Sequence, residues 1–193
     1  MINIEVSNES LSRANSMLSH VRTRFPQAVA RAVNRTMDGM RTDAVRGTTA
    51  KYFVKAGAVR ASLSFRKATP GNLMGAMVSQ GKRHSLADYK LTPTTPTKGK
   101  RPNVKGAVKK AGGLKPLSRA FLVKRGGGRY FPYYRIGYDS GNRQRGEIRS
   151  YISPSMPQII KNEETVKAIQ EGAQDRFSKR LDHEIMRIIG ISS

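Results

Sequence analysis

The residues best suited to metal or acid–base chemistry are three histidines, and they are scattered: His20, His84 and His183 fall in different segments. Around the last of them, Asp182-His183-Glu184 places two carboxylates beside an imidazole. A helical metal site needs its second ligand four residues away, on the same face. Those positions hold Lys179 and Arg187, so the triplet reads as polar helix surface. Glu163 and Glu164 are adjacent, diverge on a helix and cannot share a reacting atom. Gly126-Gly127-Gly128 lacks the spacing of a phosphate-binding loop and reads as a tight turn, although cations flank it. Serine, histidine and aspartate occur without a G-x-S-x-G elbow. The absence of cysteine removes thiolate nucleophiles, disulfides and Cys-based zinc sites. The chain is expected to be no enzyme and to hold no cofactor and no metal.

What the chain does offer is positive charge. Its 193 residues hold 36 Lys+Arg against 13 Asp+Glu, a net charge of +23. Residues 1–81 carry 12 basic and 4 acidic side chains, residues 82–149 carry 18 and 3, and residues 150–193 carry 6 and 6. Such a field repels other copies of the chain and attracts polyanions. Nucleic acid or an acidic protein surface is the natural counter-charge. The candidate contacts are Lys98, Lys100, Arg101, Lys105, Lys109, Lys110 and Lys115, followed by Arg119, Lys124, Arg125 and Arg129. Phosphate contacts through such groups release counterions and depend steeply on salt. Tyr130, Phe131, Tyr133, Tyr134 and Tyr138 are interleaved with them. Rings of this kind stack on bases in single-strand binders, but alternating aromatics in a strand more commonly serve a core or a subunit contact. No motif for sequence-specific nucleic-acid recognition accompanies the charge. A phosphoryl-transfer enzyme needs clustered carboxylates for metal, and the most basic region offers only Asp88, Asp139 and Glu147.

The elements that must carry these groups follow from periodicity. Residues 2–6 alternate as a short strand does, and a helical stretch runs from about Leu11 to Arg24. A long helix is expected from Pro26 to about Ala50, with Val29, Val33, Met37, Met40 and Ala44 forming one apolar stripe. A further turn or two of helix fits Ala56–Leu63. Strands are expected at Ser64–Ala68, Leu73–Gln80, Leu86–Leu91, Arg119–Lys124 and Tyr130–Ile136, the last two joined by the glycine run. Asp139–Asn142 reads as a turn before a short segment near Glu147–Ile152. Residues 92–118, rich in Pro, Gly, Thr and Lys, have too little apolar surface to fold alone and read as an extended basic arm or loop.

The closing helix, 155–189, opens on a capping box, Ser155 with Gln158. It carries a stripe through Ile159, Val166, Ile169, Ala173, Phe177, Leu181, Ile185 and Ile188, and Gly190 can end it. The fold expected is α+β in one domain spanning 1–193: a twisted antiparallel sheet packed by a long N-terminal and a long C-terminal helix, with the arm 92–118. Apolar residues make up 37% of the chain, against roughly 45–50% in globular chains when glycine is counted too. Part of the chain is therefore expected to order against a partner. The opening MINIEVSNES has neither the basic nor the apolar region of a signal peptide, and none is expected. No apolar run approaches the ~18 residues of a membrane span.

Two blocks resemble the minor tail protein Z family of tailed phages. The first is residues 28–68, where Asn34, Arg35, Thr36, Arg41, Ala44, Val45, Tyr52, Val54, Lys55, Val59, Arg60, Leu63 and Arg66 match the family's long helix, its short K/R-Y-x-V-K segment and its basic strand. The second is residues 146–164, similar to the family's G-P-S-x-P-Q phrase through Pro154, Ser155, Pro157 and Gln158, with Ser153 where glycine is usual. Between them, Gly81-Lys82-Arg83 before Leu86 and Arg119-Ala120-Phe121 fit more loosely. The resemblance implies a structural virion protein at the head-proximal end, or neck, of a tail. Such a protein completes the tail for head–tail joining and DNA positioning, having assembled in the host cytoplasm. It implies a homo-oligomeric ring, six-fold like the tail. Its implied partners are the tail terminator, the head connector, the tape measure protein and the phage DNA end, with no membrane. The alternative from charge alone is a non-specific nucleic-acid-binding protein.

Overall fold

A short strand, β1 (Ile2–Ile4), and a ten-residue helix, α1 (Asn8–Met17), precede the longest run of the N-terminal half, α2 (Phe25–Lys51). Pro26 stands in the first turn of α2, where its missing N–H leaves no bond unmade. After α2 come α3 (Ala56–Ser62), β2 (Leu63–Arg66), β3 (Gly75–Ser79) and β4 (Arg83–Ser85). A 3-10 turn at Leu86–Asp88 leads to β5 (Lys90–Thr92), β6 (Lys105–Ala107), β7 (Lys115–Pro116), β8 (Phe121–Lys124) and β9 (Tyr130–Arg135). The chain closes with β10 (Ile148–Ser150), β11 (Ile152–Ser155), α4 (Met156–Ile160) and α5 (Glu163–Ile189). The computed structural model describes residues 2–4, 8–17, 24–96, 103–137 and 146–189. The helical expectation for residues 18–23, the turn at Asp139–Asn142, and His20, Tyr138 and Gly190 lie outside them.

The two long helices hold the core between them. They run antiparallel, with Arg35 beside Glu184, Asp43 beside Arg176 and Lys51 beside Glu164. The expected stripe of α2 is buried at Val29, Val33, Met37, Met40 and Ala44. It meets the α5 stripe, buried at Ile169, Ala173, Phe177, Leu181 and Ile185. Each large apolar side chain removed from water here contributes about 1.5–3 kcal/mol. The other edge of α2 keeps Arg31, Arg35, Asp38, Thr42 and Arg46 exposed. Strand β3 lies close on α2, because a Cβ at Gly75 would stand 2.6 Å from the Met37 sulfur.

The α+β architecture is as the sequence leads one to expect, with the strands divided among four small antiparallel sheets. Their orders are β1-β3-β2, β5-β6-β7, β10-β9-β8 and β11-β4. Three local expectations are corrected. The segment Leu86–Leu91 is a strand only at its end, where Lys90 and Leu91 enter β5: the Ser85 hydroxyl accepts the Ala87 N–H at 3.3 Å and curls Leu86–Asp88 into the 3-10 turn. The closing helix is not continuous. Its capping box forms as expected and starts α4, but α4 stops at Ile160. Asn162, a good helix-capping residue followed by Glu163 and Glu164, begins α5 afresh.

The third concerns the expected arm. Its described second half, residues 103–118, does not reach outward but lies on the body of the molecule. Val104, Gly106 and Ala107 are buried, and β6 pairs with β5 and β7. The Phe53 N–H donates to the Val108 carbonyl at 2.9 Å, and the Lys110 N–H to the Lys51 carbonyl at 2.8 Å. Small residues make this possible. A Cβ at Gly106 would stand 2.7 Å from Leu86.

Candidate polyanion interface

Strand alternation sorts the cationic and aromatic residues of the β8–β9–β10 sheet by face. Phe131, Tyr133 and Arg135 share one face of β9, where Phe121 stands opposite Tyr133 and Val123 opposite Phe131. Three arginines lie over these rings. Arg125 is 5.3 Å from the Tyr133 centroid, Arg129 is 5.4 Å from that of Phe131, and Arg135 is 5.4 Å from that of Phe121. Each such pair contributes about 0.5–1 kcal/mol at an exposed site. A guanidinium held against a ring keeps its N–H edge free for an oxyanion, which it can grip with two parallel hydrogen bonds. Arg129 is anchored further, donating to the Ala87 carbonyl at 2.9 Å and pairing with Asp88 at 3.2 Å. Arg135 donates to the Gly146 carbonyl at 3.3 Å.

The opposite face of the same sheet is engaged within the chain. The Tyr134 and Tyr151 rings are 4.9 Å apart, and the Tyr151 hydroxyl donates to the Ser118 carbonyl. Burial first, and the neighbouring Tyr134 second, raise the Tyr151 hydroxyl above the ordinary tyrosine value. Tyr133 is only 7% exposed, so its ring is not open to a base. Within the described residues these aromatics serve the fold, as alternating strand aromatics commonly do.

Two of the lysines belong to the neighbouring β5–β6–β7 sheet and two follow β6, while Lys124 ends β8. Lys105 opens β6 opposite Thr92, and Lys115 stands in β7 opposite Gly106. Lys109 is bridged to Tyr52, and Lys110 follows it. The Leu86–Asp88 turn links the two sheets: Leu86 lies under Gly106, and the Ala87 carbonyl and Asp88 hold Arg129. Arg119 sits between the sheets with φ of 54°, a left-handed conformation rare for a side chain of this size. Lys105, Lys109, Lys110, Lys115, Arg119, Lys124, Arg125 and Arg129 are all exposed. Among the described residues Arg129 alone of these eight has a carboxylate within ion-pair distance. Lys98, Lys100 and Arg101 lie outside the described residues. The two described acids of this region are occupied, Asp88 by His84 and Arg129, and Glu147 by Arg149. No group of three His, Asp or Glu gathers at metal-binding distance among the described residues.

Sequence reasoning misplaced one charged residue. Asp182 and His183 are exposed, as a polar helix surface requires, but Glu184 is 1% exposed. It lies between Arg31, Arg35 and Arg187 at 3.7, 3.4 and 3.8 Å, and neither oxygen has a hydrogen-bond partner among the described residues. The signal was present: Glu184 follows Phe177 by seven and Leu181 by three, the spacing of the buried stripe. The blocks 28–68 and 146–164 also contain residues at joints of the fold. Asn34 bonds both backbone groups of Ala68, Arg41 lies 4.4 Å from the Phe65 centroid, and Ser155 with Gln158 starts α4. Comparison with protein families, with curated proteins and with solved structures finds no match for this chain.

Proposed function

We propose that this chain is a structural protein of a tailed-phage virion, similar in role to the minor tail protein Z family. It would complete the head-proximal end of the tail as a ring of identical subunits and help join tail to head and position the DNA end. One observation carries this reading most directly. The eight described candidate cations stand exposed in two linked sheets and the segments beside them, while the nearby described acids are taken within the chain. An isolated subunit leaves that charge unanswered, whereas DNA or acidic neighbouring rings would neutralise it. The structural duties of Asn34, Arg41, Ser155 and Gln158 give a physical reason for the residues on which the resemblance rests. No described helix is long and apolar enough to cross a membrane.

Electron microscopy of particles assembled without this protein tests the proposal. Complete heads and tails that fail to join productively are expected. Normal infectious particles, or purified virions that never contain the chain, would remove it. The alternative, a non-specific nucleic-acid binder, is favoured by the cluster of three arginines over Phe121, Phe131 and Tyr133, among which Arg125 keeps its N–H edge without a protein partner among the described residues. Virion composition separates the two readings.

A further inference from the structure

A concavity lined by none of the ring-covering arginines lies between β4, β11, the start of α4 and the segment following β6. It has a volume of about 580 Å³ and is walled by Tyr52, Val108, Ile152, Pro154 and Ile159. Its polar groups are Arg83, Lys109, Ser153 and Gln158, and no Asp or Glu lines it among the described residues. Gln158 is oriented by the capping box: its Oε1 accepts the Ser155 N–H at 2.9 Å, leaving its amide N–H groups without a protein partner among the described residues. Ser153 is 3% exposed, and its hydroxyl has no hydrogen-bond partner among the described residues. A buried hydroxyl left unpaired costs free energy that a ligand acceptor would recover. Two cations and a free amide donor therefore line a pocket that has no acidic side chain among the described residues, with the unpaired Ser153 hydroxyl buried in its wall.

The geometry points to a docking site for an acidic peptide segment of a partner protein, in which a carboxylate meets Arg83 and Lys109 and an adjacent apolar side chain enters the pocket. The volume suits a few side chains, within the ~300–1,000 Å³ of ordinary ligand sites. Ile152, 62% exposed at the rim, is the apolar complement that a nucleic-acid backbone would leave unused. The inference does not rest on the virion reading, although Lys109 belongs to both surfaces.

The test uses the full chain and a set of short fluorescein-labelled peptides combining Asp or Glu with Leu or Phe. The controls are the same peptides with every apolar residue replaced by Ser, and an oligo-dT strand. Anisotropy reads affinity, and the methyl signals of Ile152 and Ile159 report where binding occurs. The acidic apolar peptides are expected to bind more tightly than their serine counterparts and to shift both methyl signals. Arg83→Glu is expected to weaken them by about tenfold or more, since a charge-assisted contact is lost and a like charge introduced. Ser153→Ala removes one bond and is expected to weaken them about two- to tenfold while leaving the melting temperature no lower. Equal binding of the serine set, unmoved methyl signals, or equal losses from Arg83→Glu and Lys124→Glu would each overturn the proposal. Displacement of the peptides by oligo-dT with the same methyl shifts would overturn it in favour of a phosphate site.

Discussion

Asn34 and Ala68 close a two-bond clasp between α2 and the chain leaving β2. The Asn34 amide donates to the Ala68 carbonyl at 3.0 Å, and its oxygen accepts the Ala68 N–H at 2.9 Å. Ala68 is 5% exposed, so water is a poor substitute. Asn34→Ala leaves both backbone groups unpaired and is expected to lower stability by about 2–6 kcal/mol, taking ~1–3 kcal/mol for each buried group left unsatisfied. Urea denaturation measures this; a loss within about 0.5 kcal/mol, ordinary for a surface change, would show that the clasp does not hold the fold.

Glu184 makes an asymmetric prediction. Its buried carboxylate has three arginines around it, and those arginines are about half exposed. Removing arginines strands a buried charge, whereas removing the carboxylate frees arginines that can turn to water. Arg31→Met with Arg35→Met is expected to cost about 3–5 kcal/mol, the range for breaking a buried pair. Glu184→Leu is expected to cost clearly less. Equal losses in thermal or urea unfolding would contradict this account of the helix interface.

Tyr89 is expected to titrate late. Burial first, and the Asp88 carboxylate second, push its hydroxyl from 10.0 up to about 12, while that hydroxyl donates to the Pro154 carbonyl at 2.9 Å. A raised folded-state value stabilises the fold below pH 10.0, and the contribution is lost as pH rises towards about 12. Tyrosinate absorbance in an alkaline titration should show a late phase, to which Tyr151 also contributes, and Tyr89→Phe should reduce its amplitude. A late phase of unchanged amplitude after the substitution would assign it to other tyrosines.

Glu164 gives the opposite pH dependence. The hydrogen bond from Lys51 first, and its charge second, hold the Glu164 carboxyl below its ordinary value of 4.5. A depressed value stabilises the fold above 4.5, and that contribution disappears as pH falls through the folded-state value. Stability curves of the parent and Glu164→Gln should therefore be separated at neutral pH and converge in acid. A gap that does not change with pH would point to a cause other than charge.

The cationic surface predicts a salt signature. If it meets phosphate, the logarithm of affinity for DNA should fall linearly with that of salt, and each contact removed should shallow the slope by about 0.7–0.9. Replacing Lys110, Lys115 and Lys124 by Ser tests this on the full chain. Binding that is independent of salt, or an unchanged slope, would exclude a phosphate-tracking role for these residues.

The two long helices, the apolar stripes from Val29 to Ala44 and from Ile169 to Ile185, and the capping box of Ser155 were legible along the chain. Helical periodicity and capping are local, so a dozen residues suffice to display them. The surplus of charge in residues 82–149 was equally legible, because it is a count. Tertiary structure decided the remainder. Strands of two to four residues, such as β6, β7 and β10, carry too little alternation to be read, and their pairing depends on which surfaces meet. The region expected to be an arm lies against the body because Gly106 fits under Leu86, a match between residues twenty positions apart. Glu184 looked like surface because its type is polar, yet helix phase and the approach of α2 bury it. Which cations sit over rings, and which groups converge on the pocket at Ser153, are likewise properties of packed faces: proximity in space is set by the fold, while a sequence pattern reports only proximity along the chain.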